Sequence, residues 1–99
     1  MPPGRGDRIV AVEREIEIVN RLGLHARAAA KLVHAAGAFR SRVTLVKDGE
    51  SVDGKSILGI LLMAAAQGTK FSLRCEGEDE AAALELVAAL VASRFGEGE

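Results

Sequence analysis

The chain has 99 residues, a formal net charge of −1 and an apolar fraction of 48%, and phenylalanine is its only aromatic residue type. This length suits a single domain with its own core, while the interspersed acidic and basic residues argue against nucleic acid as the main partner. Because Cys75 is the single cysteine, no internal disulfide can form, which is consistent with a cytoplasmic location.

Both ends of the chain are predicted to lie outside the folded domain. Residues 1–11 combine proline, glycine and charge without an apolar stretch, so we expect a disordered leader. Residues 96–99, Gly-Glu-Gly-Glu, predict a frayed tail, which leaves one domain over residues 12–95. We expect no membrane insertion, because the chain has no run of about 18 uncharged apolar residues.

The first half of the domain begins with a strand and a helix. From Glu15 onward, acidic and apolar residues alternate as in a half-buried strand, and residues 20–23 then form a loop. An apolar stripe at helical spacing predicts a helix from His25 to Ala36, which Gly37 ends.

Two strands are predicted next. Phe39, Val43 and Leu45 share one side of the first strand, and Asp48-Gly49 is a strong hairpin signal. A short strand follows near Val52.

The last three elements are a helix, a strand and a helix. We expect the helix from Ser56 to Ala66 and the strand over residues 71–76, and the acids at 78–80 suit the first turn of the final helix. The apolar face of that helix comprises Leu84, Val87, Ala88, Val91 and Phe95. This element order predicts an α+β two-layer sandwich whose sheet is covered by helices on one face.

The segment Gly23-Leu24-His25-Ala26-Arg27 places a histidine at the start of the first helix. A helix N-terminus offers unpaired N–H groups and partial positive charge to an anion, and an arginine can bind phosphoryl oxygens in a bidentate manner. The same field opposes a positive charge on the ring, which favours a nucleophilic imidazole. We therefore interpret His25 as a phosphoryl acceptor assisted by Arg27; the alternative is a solvated or structural histidine.

Ser56 and the helix after it form a second candidate site. Serine is a preferred N-cap, so capping is the simplest interpretation, and phosphorylation is the functional one. No charged residue occurs from Ile57 to Ala66, although a two-layer fold buries only one side of a helix. We expect Leu62 and Met63 in the core and an exposed docking side. The predicted docking residues are Ile57, Leu58 and Leu61.

Three other features are given structural interpretations. His34 lies about half a turn out of phase with His25, so the two rings point apart and form no metal site. Cys75 shares the side of its strand with Phe71 and Leu73, which predicts a small buried hydrophobe. The acids at 78–80 are interpreted as helix N-terminal residues.

Three segments resemble one known family: GLHARAAAKLVHAA, DGESVDGKSILGILLMAAAQGT and CEGEDEAAALELVAAL. They are similar to HPr, the histidine phosphocarrier family of the sugar phosphotransferase system, and the likeness runs from about Glu15 to Arg94. The resemblance implies an open-faced β-sandwich, in which three helices cover one face of four antiparallel strands in the order βαββαβα. It also implies a cytoplasmic, monomeric carrier that needs no cofactor or metal and is not an enzyme in its own right.

The resemblance also implies roles for individual residues. His25 would take phosphate on Nδ1 from enzyme I, at the expense of phosphoenolpyruvate, and pass it to IIA domains. Arg27 would neutralise the phosphoryl group, and Ser56 would be the regulatory serine of an HPr kinase/phosphorylase. The apolar surface of the family that contacts enzyme I and IIA domains matches Ile57, Leu58 and Leu61.

One position departs from the family, and one alternative stays open. Family members usually have proline where this chain has Ala28, which keeps an amide donor near the phosphate and puts the transfer rate in question. The alternative is an HPr-like paralogue that acts mainly as a regulatory interaction module, either in a nitrogen-related branch or as a transcriptional co-regulator.

Overall fold

A computed structural model describes residues 11–97; the predicted leader up to residue 10 and the predicted tail residues 98 and 99 lie outside this range. The elements are β1 (Val12–Glu17), α1 (Ala26–Gly37), β2 (Arg42–Lys47), β3 (Glu50–Asp53), α2 (Ile57–Met63), β4 (Lys70–Glu76) and α3 (Glu80–Ala92). A 3₁₀ turn, Arg94–Gly96, follows α3. The predicted order βαββαβα is confirmed.

The strands form one antiparallel sheet in the order β1-β4-β2-β3. In the register, Cys75 of β4 lies between Val12 of β1 and Val43 of β2, so β4 and β2 are the inner strands. Residues such as Val43 are fully buried under the helices, whereas their neighbours Arg42 and Arg74 are exposed. The sheet therefore has the expected covered face and the expected open face.

The core lies between the sheet, α1 and α3. All five residues of the apolar face predicted for the last helix are buried, as are Leu32 of α1 and Leu73 of β4. Cys75 is also fully buried, and this burial, followed by the charges of Glu80 and Asp79, raises the pKa of its thiol. The prediction of a small buried hydrophobe at this position is confirmed.

The ends of three helices differ from the predictions. The final helix, predicted to include Phe95, ends at Ala92, and Phe95 lies in the 3₁₀ turn after it. His25 is the N-cap of α1 and lies just before its first helical residue, and the last helical residue is Gly37 rather than Ala36. The prediction that α2 reaches Ala66 is wrong, because Ala64 adopts a left-handed conformation after Met63. The carbonyl of Ala65 accepts a hydrogen bond from a loop outside the helix, so the chain turns away at this point.

The acids at 78–80 lie at the N-terminus of α3, as the sequence predicts, and Asp79 is the N-cap, although its side chain makes no capping hydrogen bond. Glu80 lies in the first turn of α3, but the carboxylate of Asp79 accepts hydrogen bonds from the backbone N–H groups of Arg40 and Ser41, each at 2.9 Å, and from the Ser41 hydroxyl. The Ser41 hydroxyl and then the Arg40 amide lower the pKa of Asp79 to about 2. Asp79 thus joins the start of α3 to the turn before β2.

Asp79→Asn is expected to make the fold less stable in a pH-dependent way. The pKa of Asp79 falls from 3.8 to about 2 on folding, so its ionised form stabilises the folded chain fully above the unfolded value. That contribution is lost as the pH falls through about 2. In urea unfolding at a series of pH values, the difference between wild type and variant should therefore be largest at neutral pH and shrink in acid.

Glu78→Gln is the matched control. Glu78 is exposed and lies 3.7 Å from the Arg40 guanidinium, a surface ion pair of little expected weight. Its substitution should change the free energy of unfolding only slightly at any pH. A deficit in Asp79→Asn that stays constant with pH would contradict the role of the ionised carboxylate.

Candidate functional site

His25 lies at the N-terminus of α1 with extended backbone angles, φ −76° and ψ 178°, and its side chain makes no capping hydrogen bond. Its carbonyl accepts the first intrahelical bond from the Ala29 amide at 2.8 Å, so the amides of residues 26–28 have no partner within the helix. The first turn contains no acidic residue, and Arg27 within it is exposed. The helix itself therefore contributes partial positive charge at this end, as the sequence predicts.

A glycine-dependent loop sets the position of His25. Gly23 has φ +68°, and a Cβ added there would lie 2.6 Å from the carbonyl oxygen of Ala65. The next residue, Leu24, is buried, and its amide donates to that same oxygen at 2.8 Å. The loop before α1 is thus bound directly to the segment that follows α2.

The imidazole of His25 contacts a carboxylate from the other end of the chain. Its Nε2 lies 2.6 Å from Oε2 of Glu97, and the two side chains are 27% and 18% exposed. Oε1 of Glu97 accepts a hydrogen bond at 3.1 Å from Nδ2 of the buried Asn20, which also donates to the Gly23 carbonyl. The pKa of Glu97 is lowered, mainly by its hydrogen bond with His25. Burial opposes this shift, whereas the hydrogen bond from Asn20 and the charges of His25 and Lys31 add to it.

Glu97 is held in place by what we term the C-terminal turn, residues 93–97. Phe95 is 1% exposed and anchors this turn in the core. Its carbonyl accepts a hydrogen bond from Lys31 Nζ of α1 at 2.6 Å. Arg94 and Phe95 both adopt left-handed backbone angles, with φ of 60° and 55°, which non-glycine residues adopt only when their surroundings impose them.

Sequence reasoning missed Glu97, Asn20 and Lys31 as parts of this site. Glu97 falls within the predicted tail, yet it lies against His25. The available signal was Phe95: its predicted burial requires the residues after it to remain close to the domain. No local pattern indicates that they turn toward α1.

Ser56 and the predicted docking residues lie at α2. Ser56 is its N-cap, and the hydroxyl oxygen accepts a hydrogen bond from the Gly59 amide at 3.1 Å, which confirms the capping interpretation. The predicted docking residues are all exposed, and Leu58 is the most exposed of the three at 64%. The prediction that Leu62 is a core residue is wrong, since it is 74% exposed on the outer side of a helix only seven residues long.

Leu22, in the loop before His25, is a further exposed apolar residue, which no sequence pattern indicates. Hereafter, the apolar surface means the following residues: Leu22, Ile57, Leu58, Leu61 and Leu62. The Leu24 amide in the loop before His25 is hydrogen-bonded to the Ala65 carbonyl just after α2. The apolar surface and His25 therefore lie on neighbouring elements. His34 is exposed in the last turn of α1, away from the helix N-terminus where His25 lies.

Over residues 11–97 there is no cluster of three or more histidine, cysteine, aspartate or glutamate side chains that could hold a metal ion. Within the same range, no helix combines the length and apolar character that crossing a membrane would require.

Comparison with protein families supplies the deciding observation. A family model described as "PTS HPr component phosphorylation site" matches residues 12–93. The chain belongs to the HPr family. It is 48% identical over 88 residues to the phosphocarrier protein HPr of Cupriavidus necator, which covers 89% of this chain and 99% of that protein. The phosphocarrier protein HPr of Pseudomonas aeruginosa is 50% identical over 86 residues, covering 86% and 96%.

A solved HPr has the same fold. The crystal structure of HPr-C-His from Thermoanaerobacter tengcongensis superposes with a TM-score of 0.86 and is 42% identical, covering 89% of this chain and 99% of that one. The resemblance stated from sequence and the HPr-like open-faced sandwich are confirmed.

Gly23→Ala is expected to destabilise the domain by about 2 kcal/mol or more, because a left-handed conformation costs a non-glycine residue roughly 1–2 kcal/mol before its contact with the Ala65 carbonyl is counted. Chemical denaturation measures the change. Gly37→Ala is the matched control, since a Cβ there meets no atom within 4 Å. The control should be as stable as wild type or more stable by up to about 1 kcal/mol, because alanine is the better helix former. Equal stabilities for the two variants would contradict the close approach at Gly23.

Proposed function

We propose that this chain is a phosphocarrier that accepts a phosphoryl group on Nδ1 of His25 from phosphoenolpyruvate-charged enzyme I and passes it to IIA domains. The observation that carries the proposal is the partly exposed imidazole at the N-cap of α1, beside helix amides that have no intrahelical partner. Membership of the HPr family supports it. Such a carrier works in the cytoplasm and is consumed and regenerated by its partners, so it has no turnover of its own.

The transfer needs an electropositive place for the moving phosphoryl group. As Nδ1 attacks phosphorus, a new N–P bond forms and the bond to the donor's leaving atom breaks, with that electron pair returning to the donor. The amides of Ala26 and Arg27, both exposed residues at the start of α1, can then donate to phosphoryl oxygens, whereas Ala28 is fully buried. Arg27, two residues after His25, supplies a bidentate guanidinium.

Docking is assigned to the apolar surface defined above. Exposed apolar patches of this kind mark sites of protein–protein contact, and the predicted residues Ile57, Leu58 and Leu61 lie within it. Its link to the His25 loop through Leu24 allows one partner to cover the surface and reach the imidazole. Enzyme I and IIA domains are the partners we assign to it, with the carrier acting as a monomer.

Ser56 is proposed as a regulatory site for an HPr kinase/phosphorylase. It precedes α2 directly, so a phosphate on its hydroxyl would lie beside the apolar surface. The added charge of about −1.5 to −2 would repel an acidic partner without transferring onward, because a phosphate ester lacks the transfer potential of phosphohistidine.

A second candidate function is a regulatory interaction module controlled by Ser56 alone, in a nitrogen-related branch or as a transcriptional co-regulator. The position of Ser56 at the edge of the apolar surface favours it. This candidate needs no nucleophile, so substitution of His25 should abolish the phosphocarrier function and leave the interaction module intact.

The relay is tested by incubation with enzyme I and labelled phosphoenolpyruvate. We expect acid-labile, base-stable label on the wild type and none on His25→Ala, because the nucleophile is removed. His34→Ala is the matched control, since it loses an exposed histidine of the same helix and should retain full labelling. Absence of label on the wild type would favour the interaction module, and persistence of label in His25→Ala would contradict His25 as the acceptor.

Ser56→Asp is expected to slow phosphorylation of His25 by at least about tenfold, because like charges brought together in an encounter cost several kcal/mol. Aspartate is also a good N-cap, so the domain should remain folded. Ser56→Ala, which removes the cap without adding charge, should lose about 1 kcal/mol of stability and keep its transfer rate.

Ser72→Asp supplies the positional control, because Ser72 lies in β4, opposite Glu15 of β1 in the sheet. The same charge added there should leave the rate near that of the wild type. If the two aspartate variants are slowed equally, the assignment of docking to the α2 side is wrong.

A further inference from the structure

The carboxylate of Glu97 is positioned to control which nitrogen of His25 carries the proton. Oε2 lies 2.6 Å from Nε2, and Oε1 is held at 3.1 Å by Nδ2 of Asn20, a fully buried side chain. The contact is partly shielded, since only 18% of the Glu97 side chain is exposed. Both oxygens of this carboxylate therefore have defined partners.

An ionised carboxylate can only accept hydrogen bonds. The ring nitrogen that faces it is stabilised as N–H, whereas a lone pair at Nε2 would face the negative oxygen at 2.6 Å and be repelled. In the neutral imidazole, a proton on Nε2 leaves the lone pair on Nδ1. A tautomer is commonly selected by the hydrogen bond that the other nitrogen makes.

We propose that Glu97 is a positioning residue for phosphoryl transfer: it keeps the proton on Nε2 of His25 and so directs the nucleophilic lone pair to Nδ1. This inference rests on the proposed function of His25. In the transfer, Nδ1 gains the bond to phosphorus, the donor recovers the electron pair of its broken bond, and the proton stays on Nε2. The positive charge that develops on the ring then faces the Glu97 carboxylate.

The protein holds this carboxylate with several independent contacts. Phe95 anchors the C-terminal turn in the core, and Lys31 binds its carbonyl. Lys31 also acts on Glu97 through its charge, and Arg27 adds positive charge at the start of α1. Because Nε2 and Nδ1 point in different directions from the ring, Glu97 does not occupy the direction from which phosphorus approaches Nδ1.

The test compares wild type with Glu97→Gln. The amide introduced by this change can accept through its oxygen or donate through its nitrogen, so it satisfies either tautomer and favours neither. Ring ¹⁵N chemical shifts, measured at a pH where His25 is neutral, report the tautomer ratio without any partner protein. We expect the Nε2–H form to dominate in the wild type and the Nδ1–H fraction to rise several-fold in the variant.

The second measurement is single-turnover phosphorylation by phosphorylated enzyme I. We expect Glu97→Gln to be about tenfold slower, the lower end of the 10–100-fold losses that follow removal of the hydrogen-bond partner of a metal-ligating histidine. Glu15→Gln is the matched control, since it removes the same charge from an exposed position on β1 and should change neither measurement.

The outcomes separate the two proposals. If His25 of the wild type is never phosphorylated, the proposed function fails and the positioning role falls with it. If wild type is phosphorylated but Glu97→Gln keeps the same tautomer ratio, or is phosphorylated as fast or faster, the role of Glu97 alone is overturned. A faster variant would mean that the carboxylate repels the incoming phosphoryl group.

Discussion

One backbone hydrogen bond joins the loop before α1 to the segment after α2, the bond from the Leu24 amide to the Ala65 carbonyl. It requires a residue without a side chain at Gly23, where a Cβ would lie 2.6 Å from the same carbonyl. The same carbonyl lies just after the early end of α2, where Ala64 adopts a left-handed conformation and the helix stops at Met63. The histidine loop and the apolar surface are neighbours as a direct consequence.

The electrostatics of the site follow from the direction of α1. Its N-terminus supplies amide donors and a partial positive charge without an acidic residue in the first turn. The balancing carboxylate comes instead from Glu97, more than seventy residues further along the chain, and it binds the ring and not the helix amides. The first amides of α1 therefore have no partner within the helix, while the imidazole has one in Glu97.

Two carboxylates, those of Asp79 and Glu97, have different roles in this structure. Asp79 binds two backbone amides and a hydroxyl before β2, and its pKa is lowered to about 2, so it acts as a structural acceptor. Glu97 binds one imidazole and one side-chain amide. Both residues belong to acid-rich or tail-like stretches, where sequence patterns predict helix capping or disorder and contain no information about the distant partner.

The sequence by itself determined the element order, the buried face of α3, the position of His25 at a helix N-terminus and the N-cap at Ser56. Each of these is encoded by residues only a few positions apart, through periodicity, capping and turn chemistry. The tertiary structure decided the early end of α2, the exposure of Leu62 and the contact between Glu97 and His25. These depend on which segments meet after the chain closes on itself, and no pattern within one segment contains that information.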